Sequence, residues 1–105
     1  MNKYETRVQG DFDDFLFRLH SELKLDKVDE SSECRSGGLR CMMRVYEQYN
    51  FWGKGFMILT VMVVESEDDL FVSIIPAGGG SVFSDHPKKL LKRAVKVIEG
   101  YKQAH

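Results

Sequence analysis

Few side chains in this sequence are suited to chemistry, and its two cysteines, Cys34 and Cys41, come first. Between them lies Ser36-Gly37-Gly38-Leu39, which reads as a tight turn because two glycines can both take positive φ. A two-residue loop pairs 36 with 39, 35 with 40 and 34 with 41, so the thiols face each other across a hairpin. Such a position is a hydrogen-bonded pair, with Cα atoms about 5.5 Å apart. That distance admits a disulfide, and hence a redox switch, although the side-chain directions are less favourable. The plainer reading is two small thiols, buried or half-buried. Two cysteines make neither a disulfide framework nor a zinc quartet.

His20, His86 and His105 are the only histidines. They are far apart and show no ligand spacing, so no metal, no cofactor and no catalytic set is expected. His86 is more simply part of a helix start. Gly78-Gly79-Gly80-Ser81 precedes a helix, where backbone N–H groups can cradle phosphate. No Gly-Lys-Ser/Thr follows, and no dinucleotide fingerprint is present. The alternative is a mobile connector.

Arg35, Arg40 and Arg44 share a face in the hairpin register. Either an anion sits among them or Glu33 or Glu47 neutralises them. Lys88, Lys89, Lys92, Arg93, Lys96 and Lys102 make the last helix basic, as a solvated face or a surface for anionic partners. Tyr46, Tyr49, Phe51, Trp52 and Phe56 gather around a turn. They form a partner hot spot, wall a pocket, or cap one end of the core.

The elements that must position these residues follow from local pattern. Tyr4 to Val8 reads as a short strand ended by Gly10. Asp11 suits an N-cap with Asp14 three residues on, and Phe12, Phe15, Leu16, Leu19 and Leu23 recur at helical spacing. A helix is therefore expected over Asp11 to Lys24, with Phe17 off its stripe, exposed or meeting a partner. Val28 to Cys34 is polar and reads as an edge strand. Leu39, Cys41, Met43 and Val45 alternate with Arg40, Met42, Arg44 and Tyr46, giving a strand with one apolar and one mixed face. Asn50 to Gly55 reads as a hairpin connection.

Phe56 to Val64 is apolar on both sides and should be the centre of the sheet. Ser66 to Asp69 turns the chain, Leu70 to Ile75 returns, Pro76 ends that strand, and Ala77 to Ser81 is a loop. Ser84-Asp85-His86-Pro87 starts a last helix with a wide apolar stripe from Leu90 to Tyr101. The expected fold class is α+β: a two-layer antiparallel sheet of about five strands with two helices, order β-α-β-β-β-β-α. Residues 1–105 form a single domain.

That architecture carries a packing problem. Ile58, Met62 and Val64 lie on one side of the central strand and Leu59, Val61 and Val63 on the other. Large exposed apolar patches are rare on monomers. A second copy, a bound apolar ligand, or a curled sheet with one helix on each side would bury the second face. A homo-oligomer, most commonly a two-fold dimer, is favoured.

Composition narrows the function classes. Of 105 residues, 43% are hydrophobic and 30% charged, which suits a globular chain rather than a disordered one. A net charge of -1 gives no global attraction to nucleic acid or membrane. The first residues lack the apolar run of a signal peptide, and Phe56 to Val64 is too short to span a bilayer. A cytoplasmic protein is expected.

Gly10-Asp11-Phe12-Asp13 with Phe15-Leu16, Leu39-Arg40-Cys41 with Arg44-Val45-Tyr46-Glu47-Gln48-Tyr49, and Asp69-Leu70-Phe71-Val72-Ser73-Ile74 with Gly78-Gly79 resemble a family of small bacterial proteins, domain-of-unknown-function family 6054. The resemblance covers about the first four fifths of the chain. After Gly80 the sequence departs, with a shorter approach to a more basic last helix. The resemblance implies a bacterial, cytosolic, single-domain protein and transfers no catalytic residue.

The expected function is a non-enzymatic binding domain acting as a homodimer through its sheet. Tyr46, Tyr49, Phe51 and Trp52 are the expected contacts, and Arg40 and Arg44 their polar partners. The alternative is a pocket for an apolar or anionic metabolite between sheet and last helix, near Gly78, Gly79 and Gly80. An enzyme ranks third.

Overall fold

The computed structural model describes residues 3–25, 27–49, 55–80 and 86–104, with the backbone alone at 27, 49, 55, 56, 79, 80, 86 and 87. The chain forms β1 (Tyr4–Val8), α1 (Phe12–Leu23), β2 (Lys27–Ser36), β3 (Leu39–Tyr49), β4 (Gly55–Glu65), β5 (Leu70–Gly80) and α2 (His86–Ala104). The five strands make one antiparallel sheet in the order β1-β5-β4-β3-β2. This is the expected α+β order.

The topology follows from short connections. β2 to β5 are successive antiparallel neighbours, and β1 pairs along the free side of β5. The chain must therefore cross from the β1 edge to the β2 edge, and α1 makes that crossing. Five strands are about 19 Å across. The 12 residues of α1 are about 18 Å long, so the helix matches the gap.

Both ends of α1 are capped as its residue types dictate. The Asp11 carboxylate accepts the Asp14 N–H at 2.9 Å, while Lys24 takes a left-handed conformation at φ 52°. Asp11 and Lys24 are thus caps just outside the helix rather than members of it. Phe12, Phe15, Leu19 and Leu23 are buried, and the Phe15 ring meets Tyr101 of α2 edge-on at 5.0 Å between centroids. Phe17 points away from this core and is 70% exposed.

Both helices lie on one face of the sheet. Arg40 and Tyr46 of β3 reach Asp13 and His20 of α1. Tyr4 and Thr6 of β1 reach Glu99 and Lys102 of α2 from the same side. The curled alternative, with a helix on each side, is not adopted. Leu59, Val61 and Val63 of β4 and Leu70, Val72 and Ile74 of β5 form the buried floor under the helices.

One strand end and one loop differ from expectation. β5 does not stop at Pro76, and Ala77 to Gly80 are not a loop: the strand runs on, with Pro76 opposite Leu59 and Gly80 opposite Gly55. The physical reason lies in β1, which ends at Tyr4 opposite Ile74. Among the described residues nothing pairs with that side of β5 beyond Ile74, and a proline on an unpaired side removes no ladder bond. Ser81 and the helix-start residues Ser84 and Asp85 lie outside the described residues.

Candidate functional site

Arg40 lies on the helix side of β3, where it joins the edge hairpin to α1. Its Nη1 donates to the Asp13 carboxylate at 2.8 Å and its Nη2 to Glu33 at 2.9 Å. The guanidinium also lies 4.2 Å above the centroid of the Phe12 ring. The Arg40 side chain is only 16% exposed, so this clamp is shielded on one side. The hydrogen bond to Arg40 holds the Asp13 carboxyl below its usual range, and both carboxylates push Arg40 upward. Of the two expected neutralising residues, Glu33 takes the role. Asp13 arrives from α1, a partner that strand register alone had no means of signalling.

Arg44 and Tyr46 form a second cluster on the same side. Arg44 donates through Nε to Ser31 Oγ and through Nη1 to the Tyr46 hydroxyl, both at 3.3 Å. The buried Tyr46 hydroxyl lies 3.0 Å from His20 Nδ1, and the two rings stack at 5.7 Å between centroids. The hydroxyl accepts from Arg44 and donates to His20 when that nitrogen is unprotonated. The arrangement fixes the edge of the sheet to the middle of α1. His20 entered the sequence reading only as a possible ligand. Its meeting with Tyr46, 26 residues away, has no local signature.

The aromatic group expected around the hairpin is described only in part. Tyr46 faces the helices. Of Tyr49 only the backbone is described, paired to Phe56. Phe51 and Trp52 lie outside the described residues. Gly78, Gly79 and Gly80 are strand residues opposite Met57, Phe56 and Gly55.

The outer face of the sheet is the largest unexplained feature. Its middle strands carry Val45 of β3, Ile58, Met62 and Val64 of β4, and Phe71 and Ile75 of β5, all half-buried by their neighbours. Met43 is 47% exposed and Leu39 40% exposed. Charges stand at the margins: Glu5 and Arg7 on β1, Glu30 on β2, and Glu47 on β3. β2 and β3 thus turn the mixed row of β3 inward and its apolar row outward.

Two smaller features complete the survey. A cavity of about 150 Å³ between the end of the sheet and α2 is lined by Gln48, Met57, Lys89, Leu90 and Arg93. Arg93 also donates to the Lys24 carbonyl at 3.2 Å, closing the C-terminal end of α1. At the far end of the outer face, Cys34 and Cys41 are free thiols in the expected direct register; Cys41 is half-buried, but Cys34, on the edge strand, is exposed rather than buried. Burial, and then the neighbouring Cys34, push the Cys41 thiol upward. Among the described residues no group of three or more His, Cys, Asp or Glu side chains gathers as a metal site. No described helix is long and apolar enough to cross a membrane.

Comparison with protein families finds a match over residues 1–101 to DUF6054, a family of unknown function. No curated protein and no solved structure matches.

Proposed function

The chain belongs to the DUF6054 family, whose function is unknown, and from that premise we propose a non-enzymatic binding domain that pairs with a second copy of itself through the outer face of the sheet. The observation that carries this reading is an apolar sheet face left uncovered because both helices occupy the other side. β3, β4 and β5 are each 11 residues long. Strands of that length span about 36 Å, so the five-stranded face offers roughly 700 Å² of flat area. A stable interface needs about 800 Å² per partner. Side-chain relief brings the face to that scale, and its apolar middle and charged margins match interface anatomy.

A two-fold pairing of sheets places the central strand, β4, near the axis, so Met62 lies close to its own symmetry mate. Arg40, Arg44 and Tyr46 serve this reading indirectly, by holding β2 and β3 flat against α1. The same reading keeps the protein in a bacterial cytoplasm, a reducing compartment suited to two free thiols.

Native mass measurement at micromolar protein tests the proposal. The expected species is a dimer of twice 12.1 kDa. Met62→Lys should give a folded monomer, because two ammonium groups then meet near the axis. Val61→Lys, one residue away but fully buried under the helices, should unfold the protein instead. A wild-type protein that is monomeric, and unchanged by Met62→Lys, overturns the dimer.

A second reading rests on the cavity beside α2. Lys89 and Arg93 give it two cations, and its volume of about 150 Å³ holds a small carboxylate or phosphate. Titration calorimetry with inorganic phosphate and with acetate tests this site, with heat expected from wild type and lost in Lys89→Ala.

A further inference from the structure

We propose that Cys34 and Cys41 form a two-sulfur site for a soft monovalent cation of the Cu(I) class. The site is built by the hairpin. Gly37 and Gly38 take φ of 59° and 84°, so Ser36 to Leu39 is a two-residue loop of the doubly left-handed kind. Such a loop makes 36 and 39 a hydrogen-bonded pair, leaves 35 and 40 unbonded, and makes 34 and 41 hydrogen-bonded again. Their side chains stand side by side on the outer face, Cys34 exposed and Cys41 half-buried.

This geometry favours a bridging ion over a direct S–S bond. At a hydrogen-bonded pair the Cβ atoms stand about 5.5 Å apart. A disulfide requires about 3.8 Å, so closing it would draw the strands together. Two metal–sulfur bonds of about 2.3 Å span the gap with the strands in place. The ligand set also selects the ion. No third His, Cys, Asp or Glu joins the pair among the described residues, so a four-coordinate zinc or an oxygen-bound cation lacks its ligands. Two thiolates suit a soft ion of low coordination number. Met43 stands two residues along β3 on the same face, 47% exposed, and lies in register with Met62. The Met43 thioether is a further soft donor on that face.

Binding replaces two S–H bonds by two S–Cu bonds and releases two protons to solvent, with no change of oxidation state. Both ligands must be thiolates, so affinity rises with pH. The site does not depend on the dimer reading, because Cys34 lies on the edge strand at the rim of the outer face.

The test is an anaerobic competition titration of reduced full-length protein with Cu(I) against the chromophoric chelator bicinchoninate. Wild type should hold one Cu(I) per chain. Cys34→Ser and Cys41→Ser should each bind at least tenfold more weakly, and Met43→Leu a few-fold more weakly. Circular dichroism of each variant should match wild type, since serine replaces a rim thiol without a change of shape. Wild type that holds Cu(I) no better than Cys34→Ser, or a double Cys→Ser variant that still holds one ion, overturns the proposal.

Discussion

Along β4 the two faces of the sheet carry the same kinds of side chain and meet different fates. Leu59, Val61 and Val63 are fully buried under the helices, while Ile58, Met62 and Val64 on the reverse side are only half-buried. On β3 the contrast runs the other way. The helix side receives Arg40, Arg44 and Tyr46, and the outer side keeps Leu39, Met43 and Val45. Apolarity therefore does not decide which face a helix covers. On the buried face the polar residues of β3 meet α1: Arg40 meets Asp13 as well as Glu33, and Tyr46 meets His20. The open face has a largely apolar middle, broken by Thr60 and Ser73, and nothing from its own chain among the described residues to cover it.

The comparison can be broken most forcefully at neighbouring residues of β4. Leu59→Ala removes a side chain from the sealed core and should cost about 3 kcal/mol in urea unfolding. Ile58→Ala on the outer face should cost under about 1 kcal/mol when measured on monomeric protein. Equal losses would mean that the outer face is sealed after all.

A smaller effect is expected where β1 turns into α1. Gly10 has φ 148°, and a Cβ there would stand 2.5 Å from the Tyr101 hydroxyl. Gly10→Ala should cost about 2 kcal/mol, through backbone strain and displacement of Tyr101. An unchanged denaturation midpoint would show that α2 can move away freely.

Tyr101 sharpens the helix side further. Burial first, and then its hydrogen bond to Asp14 at 3.0 Å, push its phenol up to about 12. An unfolded tyrosine titrates near about 10. A raised folded value means that the neutral form is favoured in the native state. The contribution is therefore complete below about pH 10 and lost as pH rises toward 12. Tyr101→Phe should cost about 1 kcal/mol at neutral pH and reduce this alkaline loss. Tyr4, also pushed up by burial and by Glu99, leaves a remainder.

The smallest change belongs to the exposed end of the Arg40 clamp. Asp13, Asp69 and Glu99 are all held below their usual values by hydrogen bonds, with Arg40 the first cause for Asp13, Ser66 for Asp69 and Tyr4 for Glu99. Their contribution is present above the ordinary carboxylate pKa and lost as pH falls through the depressed values. Asp13→Asn should soften this acid loss slightly, and 1 M salt should shrink the difference. A large effect at high salt would point to a structural role for Asp13 beyond its charge.

Much of the fold was legible from short-range signals. Gly37-Gly38 set the hairpin register down to the pairing of Cys34 with Cys41, and Asp11 marked the start of α1. The signals failed where context outweighed them. Pro76 is followed by Ala77 and three glycines that look like a strand end and a loop, yet they continue β5 by pairing with β4, with no partner on the other side among the described residues. The candidate site was less legible. Arg40, Arg44, Tyr46 and Tyr49 alternate in a way that separates two faces, but the alternation does not name the inward one.

The order and type of the elements, the caps of α1 and the hairpin register were determined by the sequence itself, because each depends on residues a few positions apart. Which side of the sheet receives both helices was decided only in three dimensions. Period-two alternation defines two faces of equal standing, and the choice between them waits for partners from distant parts of the chain. Asp13 and His20 on α1, and Glu99 and Lys102 on α2, meet their strands from one side, so the apolar row of β3 is left facing out.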